Sequence, residues 1–282
     1  MSQINVNDIL PESGNIVNVN GVEVADSNQS IKIGVNAGPD LGIRSTAVGR
    51  FALNSSTGQS NTALGCESAL SQTTGFGNTA VGTYSLRLLT TTNNNTAVGY
   101  TALSNSVPSS TGENTAIGSQ ALLDLTTGNR NTAIGMNAGS SATTGDNNTF
   151  IGFDSQPSSI TVSNELTLGN SSVETLRCAV TSITSLSDAR DKTNIEDSEY
   201  GLDLVDSLKP VKFEWDTRDG AKKGVKDLGF IAQDLKEVDD EYLGLVYSEN
   251  PEKLEASYGR LIPVLVKAIQ ELSEEIKQLK SK

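Results

Sequence analysis

The chain has 282 residues, 34 acidic and 21 basic side chains, a formal net charge of −13 and no histidine. The acidic balance argues against nucleic-acid binding, which needs clustered Lys and Arg to neutralise phosphates. The missing histidine excludes Ser-His-Asp and Cys-His catalysis and argues against a zinc site, so neither metal nor cofactor is expected.

Hydrophobic content of 36% and aromatic content of 5% are lean for one large core. With 26 Gly and 7 Pro the chain is neither collagen-like nor a proline-rich linker. Cys66 and Cys178 lack metal or redox spacing and read as small buried hydrophobes. Met1 to Asn7 has no basic or apolar signal segment, and no apolar run reaches the roughly 18 residues of a membrane span. Synthesis in a cytoplasm, without membrane insertion, is the expectation.

In residues 1–41, Ile4, Val6, Ile9, Leu10, Ile16, Val17, Val19, Val22 and Val24 alternate with polar positions. They predict short strands, with turns at Pro11-Glu12-Ser13-Gly14 and a hairpin at Asn20-Gly21. The segment suits either a cap for the array behind it or an attachment tip.

Residues 42–157 are a repeat array. Thr46-Ala47-Val48-Gly49 recurs in variants beginning at Thr62, Thr79, Thr96, Thr115, Thr132 and Thr149, a period of about 16–17 residues that predicts one solenoid coil per copy. Asn61, Asn78, Asn95, Asn114, Asn131 and Asn148 precede six of the seven copies. They suit a left-handed turn position or a stacked, side-chain-bonded ladder. Each copy offers a short strand with one aliphatic residue inward and a Gly for a tight turn. A second apolar mark comes after each of most copies, as in Ala52-Leu53, Ala69-Leu70, Ser85-Leu86, Ala102-Leu103 and Ala121-Leu122. One coil buries little, so side-by-side packing of several chains is the natural remedy. The pattern resembles the head repeats of trimeric autotransporter adhesins, which implies a trimeric parallel β-roll. Phe76, Tyr84 and Tyr100 are candidate contacts for a glycan, with solvated loops as the simpler reading.

Residues 158–186 switch to period-2 alternation through Ile160, Val162, Leu166, Leu168, Val173, Leu176, Cys178, Val180 and Ile183, which predicts a β-stem with a turn at Gly169-Asn170.

Residues 187–282 open on Ser187-Asp188-Ala189-Arg190-Asp191-Lys192-Thr193-Asn194-Ile195. Farther on come Leu208-Lys209-Pro210-Val211, Phe213-Glu214-Trp215, Gly229-Phe230-Ile231-Ala232-Gln233, and a run from Tyr258 to Leu272. Together these motifs resemble the intramolecular chaperones of the endosialidase type, which close many phage tail fibres and tailspikes. The resemblance implies a self-cleaving Ser-Lys dyad, Ser187 and Lys192, that cuts the Leu186–Ser187 bond. A serine hydroxyl needs a base, and lysine serves when burial keeps its amine neutral. By spacing alone the motif is an N-cap beside a solvated charge, and Asp188 and Asn194 either orient the dyad or cap turns. Strand 210–215, a short helix over 230–236 and a solvated acidic loop at Asp239-Asp240-Glu241 are also predicted.

The last helix, starting near 260–262, carries Ile262, Leu265, Ile269, Leu272, Ile276 and Leu279 at alternating steps of three and four, a heptad seam. Helix packing on its own domain and trimerisation are both open; the resemblance implies a trimer. The expected fold is mainly β: a trimeric β-solenoid shaft and, C-terminal to it, a small α+β chaperone domain ending in a coiled-coil helix. The resemblance implies a virion tail-fibre protein, made in a bacterial host, that partners itself and, through its N-terminus, other tail proteins. The alternative is a host-glycan-binding adhesin whose chaperone domain trimerises and stays attached.

Overall fold

A computed structural model describes residues 18–19, 22–24, 30–39, 41–105, 112–179 and 184–282. The chain forms two compact units, residues 1–170 and 171–282.

The first unit is a parallel β-solenoid of about eight turns. Strand β1 (Asn18–Val19) pairs antiparallel with β2 (Val22–Val24), joining Val19 to Val22 in the register of a hairpin. Its turn residues, and every expected strand before Asn18, lie outside the described residues. β2 runs antiparallel to β3 (Ile31–Ile33) and so covers one edge of the stack. From β3 the pairing is parallel and in register: β4 (Thr46–Val48), β5 (Thr62–Leu64), β6 (Thr79–Val81), β7 (Thr96–Val98), β8 (Thr115–Ile117), β9 (Thr132–Ile134), β10 (Thr149–Ile151) and β11 (Leu166–Leu168). β11 is the one strand among the described residues of 158–186. The expected alternating strands beyond it are absent from 171–179 and 184–186.

The inward residue of each strand corrects the expectation. The middle Ala of each copy is 0% exposed, and the aliphatic third residue points out, beside the Thr of the same strand. Three-residue strands place first and third positions on one face, and the small Ala suits the narrow interior in the first six copies. The bulk comes from Leu53, Leu86, Leu103 and Leu122, all buried at φ of 47–50°. In the third coil the expected Ala69-Leu70 mark is shifted: Ala69 takes the core place at φ 48° and Leu70 is half-buried. The seventh copy swaps sizes. Phe150 replaces the inward Ala, and Gly139 faces it, where a Cβ would sit 2.5 Å from the Phe150 ring. Total volume is conserved across the layer.

Two polar columns fix the spacing. The ladder asparagines are buried. Asn131 N–H donates to Asn114 Oδ1 at 2.9 Å, and Asn114 Nδ2 donates to Gly128 O at 2.9 Å. The same pairing recurs through Asn61, Asn78, Asn95 and Asn148, with Ser30 and Ser45 starting the column and the Glu165 N–H ending it. The left-handed position falls one residue earlier, on Ser60, Asn94, Glu113, Arg130 and Asn147. Of the two roles open to the asparagines, the ladder is therefore the one realised. The Gly after each strand is needed for approach as much as for φ: at Gly118 (φ 138°) a Cβ would lie 2.3 Å from Gly135 O. Neither cysteine is fully buried. Cys66 is half-exposed and Cys178 exposed, both as free thiols, which corrects the expectation of buried hydrophobes.

The second unit is small and mixed. Helix α1 (Leu202–Ser207) precedes the antiparallel pair β12 (Val211–Asp216) and β13 (Lys223–Gly229), then α2 (Ala232–Lys236). The short pair β14 (Val246–Tyr247) and β15 (Glu255–Ala256) leads through a 3-10 turn, Tyr258–Arg260, to α3 (Leu261–Lys280). Leu235, Leu243, Leu245, Leu261 and Val264 form its core. Pro263 sits in the first turn of α3, where its missing N–H costs nothing. Glu271 of α3 accepts from Leu202 N–H at 2.7 Å and so caps α1, its carboxylate lying close against Gly201. No helix of the described residues is long and apolar enough to cross a membrane.

The acidic loop is solvated at Asp240 and Glu241, both exposed, and it also holds structure. Asp239 accepts from Leu245 N–H at 2.7 Å and Val246 N–H at 2.9 Å. Asp240 accepts from Tyr242 and Leu243 N–H and from the Tyr200 hydroxyl at 2.5 Å. The Asp240 bond, with burial second, pushes the Tyr200 phenol up to about 12. The same hydroxyl, then the Leu243 N–H, holds Asp240 below the usual carboxylate range.

Substitutions in the ladder and at the acidic loop test this architecture. Asn114→Ala leaves the buried Asn131 N–H without its acceptor and is expected to cost about 1–3 kcal/mol in urea unfolding of the full chain. A Tyr200 phenol held protonated stabilises fully below its unfolded value of about 10 and loses that contribution as pH rises through its folded value. The wild-type advantage over Tyr200→Phe in unfolding midpoint should therefore be constant through neutral pH and vanish at strongly alkaline pH. An advantage that persists there would contradict the assignment.

Candidate functional site

The stretch after Leu186 folds as a capped single turn. Asp188 leaves the chain extended (φ −71°, ψ 135°), and its carboxylate accepts from Arg190 N–H at 2.9 Å. This is the N-cap bond of a 3-10 turn over Ala189–Asp191, closed by Asp191 N–H to Asp188 O and Lys192 N–H to Ala189 O, both 3.2 Å. Lys192 then exits extended (φ −126°, ψ 145°). The turn reverses the chain and brings the lysine side chain back over its start. Lys192 Nζ lies 2.7 Å from Ser187 Oγ and 3.4 Å from Ser187 O.

The Arg190 guanidinium forks onto Asp188, with Nε at 3.0 and 3.1 Å and Nη2 at 2.6 Å from its oxygens. Arg190, through its side chain and then its backbone N–H, holds the Asp188 carboxyl below the usual range. Asp188 is thus an ionised cap with its lone pairs committed, unsuited to take a proton near neutrality. Asn194 adopts a left-handed backbone (φ 52°), a turn role. Ser187, Asp188 and Lys192 are all exposed, and Leu186 is 97% exposed.

A serine hydroxyl within 2.7 Å of a lysine amine is the arrangement of a nucleophile beside its base, provided the amine is neutral. In the single chain, water reaches both groups.

The heptad residues of α3 divide from its core face. Leu261, Val264 and Ala268 are buried against the second unit. Ile262, Leu265, Ile269, Leu272, Ile276 and Leu279 are 42–69% exposed and run along the free side. The helix packs on its own domain and still keeps an unpartnered apolar seam. Of the two readings the sequence leaves open, the packing of α3 on its own domain is present, through Leu261, Val264 and Ala268. Along its polar side Lys277 pairs with Glu274 at 3.5 Å, and Glu271 turns to Lys267 at 3.9 Å and to the α1 terminus.

The candidate glycan contacts are partly engaged. Tyr84 and Tyr100 of neighbouring coils meet edge to face at 6.1 Å, and Arg87 lies over Tyr84 while pairing with Glu67 at 3.0 Å. Phe76 stands half-exposed on a separate turn.

Residues 187–244 match the family model described as chaperone of endosialidase, a match that begins at Ser187 and ends before β14 and α3. Searches of curated proteins and of solved structures found no match. The matched segment and the stacked coils agree on one architecture: the chain carries, C-terminal to its parallel β-solenoid, a chaperone domain of the endosialidase family.

Proposed function

We propose that the protein is a homotrimeric phage tail-fibre component whose C-terminal domain directs trimer folding and then releases itself by one cut between Leu186 and Ser187. The observation that carries this reading is the 2.7 Å approach of Lys192 Nζ to Ser187 Oγ at the first residue of the family match. The solenoid serves as the shaft. Residues 1–41 serve attachment to other virion proteins, and 158–186 form the stem between shaft and chaperone.

The cut proceeds without histidine. Neutral Lys192 takes the hydroxyl proton of Ser187, and Oγ attacks the carbonyl carbon of Leu186. The C–N bond then breaks, with Lys192 returning the proton to the departing Ser187 nitrogen. An ester joins the Leu186 carbonyl to Ser187 Oγ. Water hydrolyses it, leaving the Leu186 carboxylate and a free Ser187 amine. Assembly supplies the missing burial: three chains meeting along the α3 seam enclose the junction, lower the lysine pKa and make cutting conditional on trimer formation. The Asp188 cap holds the turn beforehand, so that only desolvation remains to be added.

The intact mass of freshly expressed protein tests the chemistry. Wild type should appear as two fragments divided at Leu186–Ser187, and Ser187→Ala and Lys192→Ala as full-length chains. A full-length wild-type trimer would make the domain a permanent clamp and remove the enzymatic assignment. A second prediction concerns coupling. Ile269→Asp changes an exposed seam residue, so the domain should fold, while sedimentation should show loss of the trimer and the cut should slow in parallel. Wild-type cutting by a monomeric Ile269→Asp protein would separate cleavage from assembly.

A further inference from the structure

We infer that Arg190 is a positioning residue for the cut: it occupies the Asp188 carboxylate on both oxygens and so keeps that carboxylate from drawing the Lys192 amine off Ser187. The inference rests on the self-cleavage reading and concerns how the base is kept available to its serine.

The turn brings opposite charges into one short arc. Asp188 and Lys192 are four residues apart, the spacing at which a carboxylate and an ammonium meet across a single turn. They do not meet here. Lys192 Nζ has Ser187 as its partner, 2.7 Å from Oγ and 3.4 Å from O, and among the described residues it pairs with no carboxylate. Arg190 takes the carboxylate instead. Asp188 Oδ1 accepts from the Arg190 backbone N–H at 2.9 Å and from Nε at 3.0 Å. Oδ2 accepts from Nε at 3.1 Å and from Nη2 at 2.6 Å. One residue therefore supplies both the N-cap bond and the counter-charge. Asp191, on the same turn, is paired with neither Arg190 nor Lys192. All six residues from Ser187 to Lys192 are exposed, and no ion pair from another element of the described residues reaches them.

The two cations are not interchangeable in this arc. A base must be neutral, and a free carboxylate beside an amine favours the charged form. Arginine stays charged at any working pH and presents a planar fork that commits both carboxylate oxygens, whereas lysine is a single point charge. Exposed ion pairs contribute little in the free chain. Enclosure of the junction on assembly strengthens whichever pair is present. An enclosed Asp188–Lys192 pair would hold the base protonated and off its serine. An enclosed Asp188–Arg190 pair leaves the lysine with the hydroxyl alone.

The test follows full-length chains labelled by cell-free synthesis and transferred, still whole, to buffers from about pH 6 to about pH 10. The rate of cutting is read from the full-length and cut bands, and sedimentation records the trimer for each variant. Arg190→Ala should move the pH profile of cutting upward by roughly one unit, about a tenfold loss near neutrality that alkaline buffer recovers. Arg190→Lys should fall between Arg190→Ala and wild type. The deciding variant combines Arg190→Ala with Asp188→Asn. Asparagine caps a turn as aspartate does and carries no charge, so the profile should return most of the way to wild type. Both variants lack the arginine, and any loss of folding it causes is common to the two. A profile that stays in place, whether or not the rate drops, overturns the inference, as does a double variant no better than Arg190→Ala. Either result leaves Arg190 a structural tether with self-cleavage intact. Wild type that stays whole at every pH overturns the cleavage reading itself.

Discussion

Stacking of backbone on backbone is the constraint on which the shaft depends. Each Thr N–H donates to the carbonyl of the ladder residue one coil on, at 2.8 Å from Thr46 through Thr149. The asparagine amides satisfy the turn carbonyls that the strands cannot reach. Buried polar groups cost several kcal/mol if orphaned and little if paired, so the coil is stable only when the next coil is present. That demand explains the strict in-register pairing of eight successive parallel steps and the near-invariance of Asn, Ala and Gly among the copies. It also explains the ends: Ser30 and Ser45 begin the ladder with smaller acceptors, and the Glu165 carboxylate turns to Ser158 and Thr167 where the run of asparagines stops.

The repeat, the ladder and the glycine turn were legible in the sequence because each is written as a residue type at a fixed offset. The facing of the strands was not. In a three-residue strand the rule of alternation says only that Thr and Val share a face; which face is inner depends on interior width, and the interior accepts Ala. Ala69 shows the same limit at another point, since a neighbouring Leu70 made the apolar mark look one residue later than the core position. Gly139 opposite Phe150 was silent for a different reason. Size compensation joins residues that are distant in sequence, and nothing local marks it.

At the junction, spacing alone gave an N-capped turn, and the capped turn is there. The approach of lysine to serine is a consequence of that cap rather than a competitor to it: the turn that Asp188 nucleates sets the return path of Lys192. Of the two readings of Asp188, the cap is the one present in the geometry. The acidic loop is solvated as its composition says, but composition treats carboxylates as charges and is silent on their second role, in which Asp239 and Asp240 accept from backbone N–H groups left over by a short strand and a turn. Helix α3 was legible as a heptad, and its second apolar stripe, Leu261, Val264 and Ala268, lay hidden in the same run of hydrophobic residues.

A single copy thus satisfies its backbone along the solenoid and leaves apolar surface open on the outer sheet face, along the seam of α3 and at single residues such as Val173, Leu176 and Leu228. The polar half of folding is completed within the chain and the hydrophobic half is not. This division has a kinetic sense. Parallel coils close long loops and form slowly, and an uncovered aliphatic column is a hazard while they do so. The α3 seam, by contrast, is local and helical and can associate early. Under the proposed function, α3 would hold three shafts in register while their coils form, and the proposed cut at Leu186–Ser187 would then make the result irreversible, since separated shafts would have lost the element that aligned them.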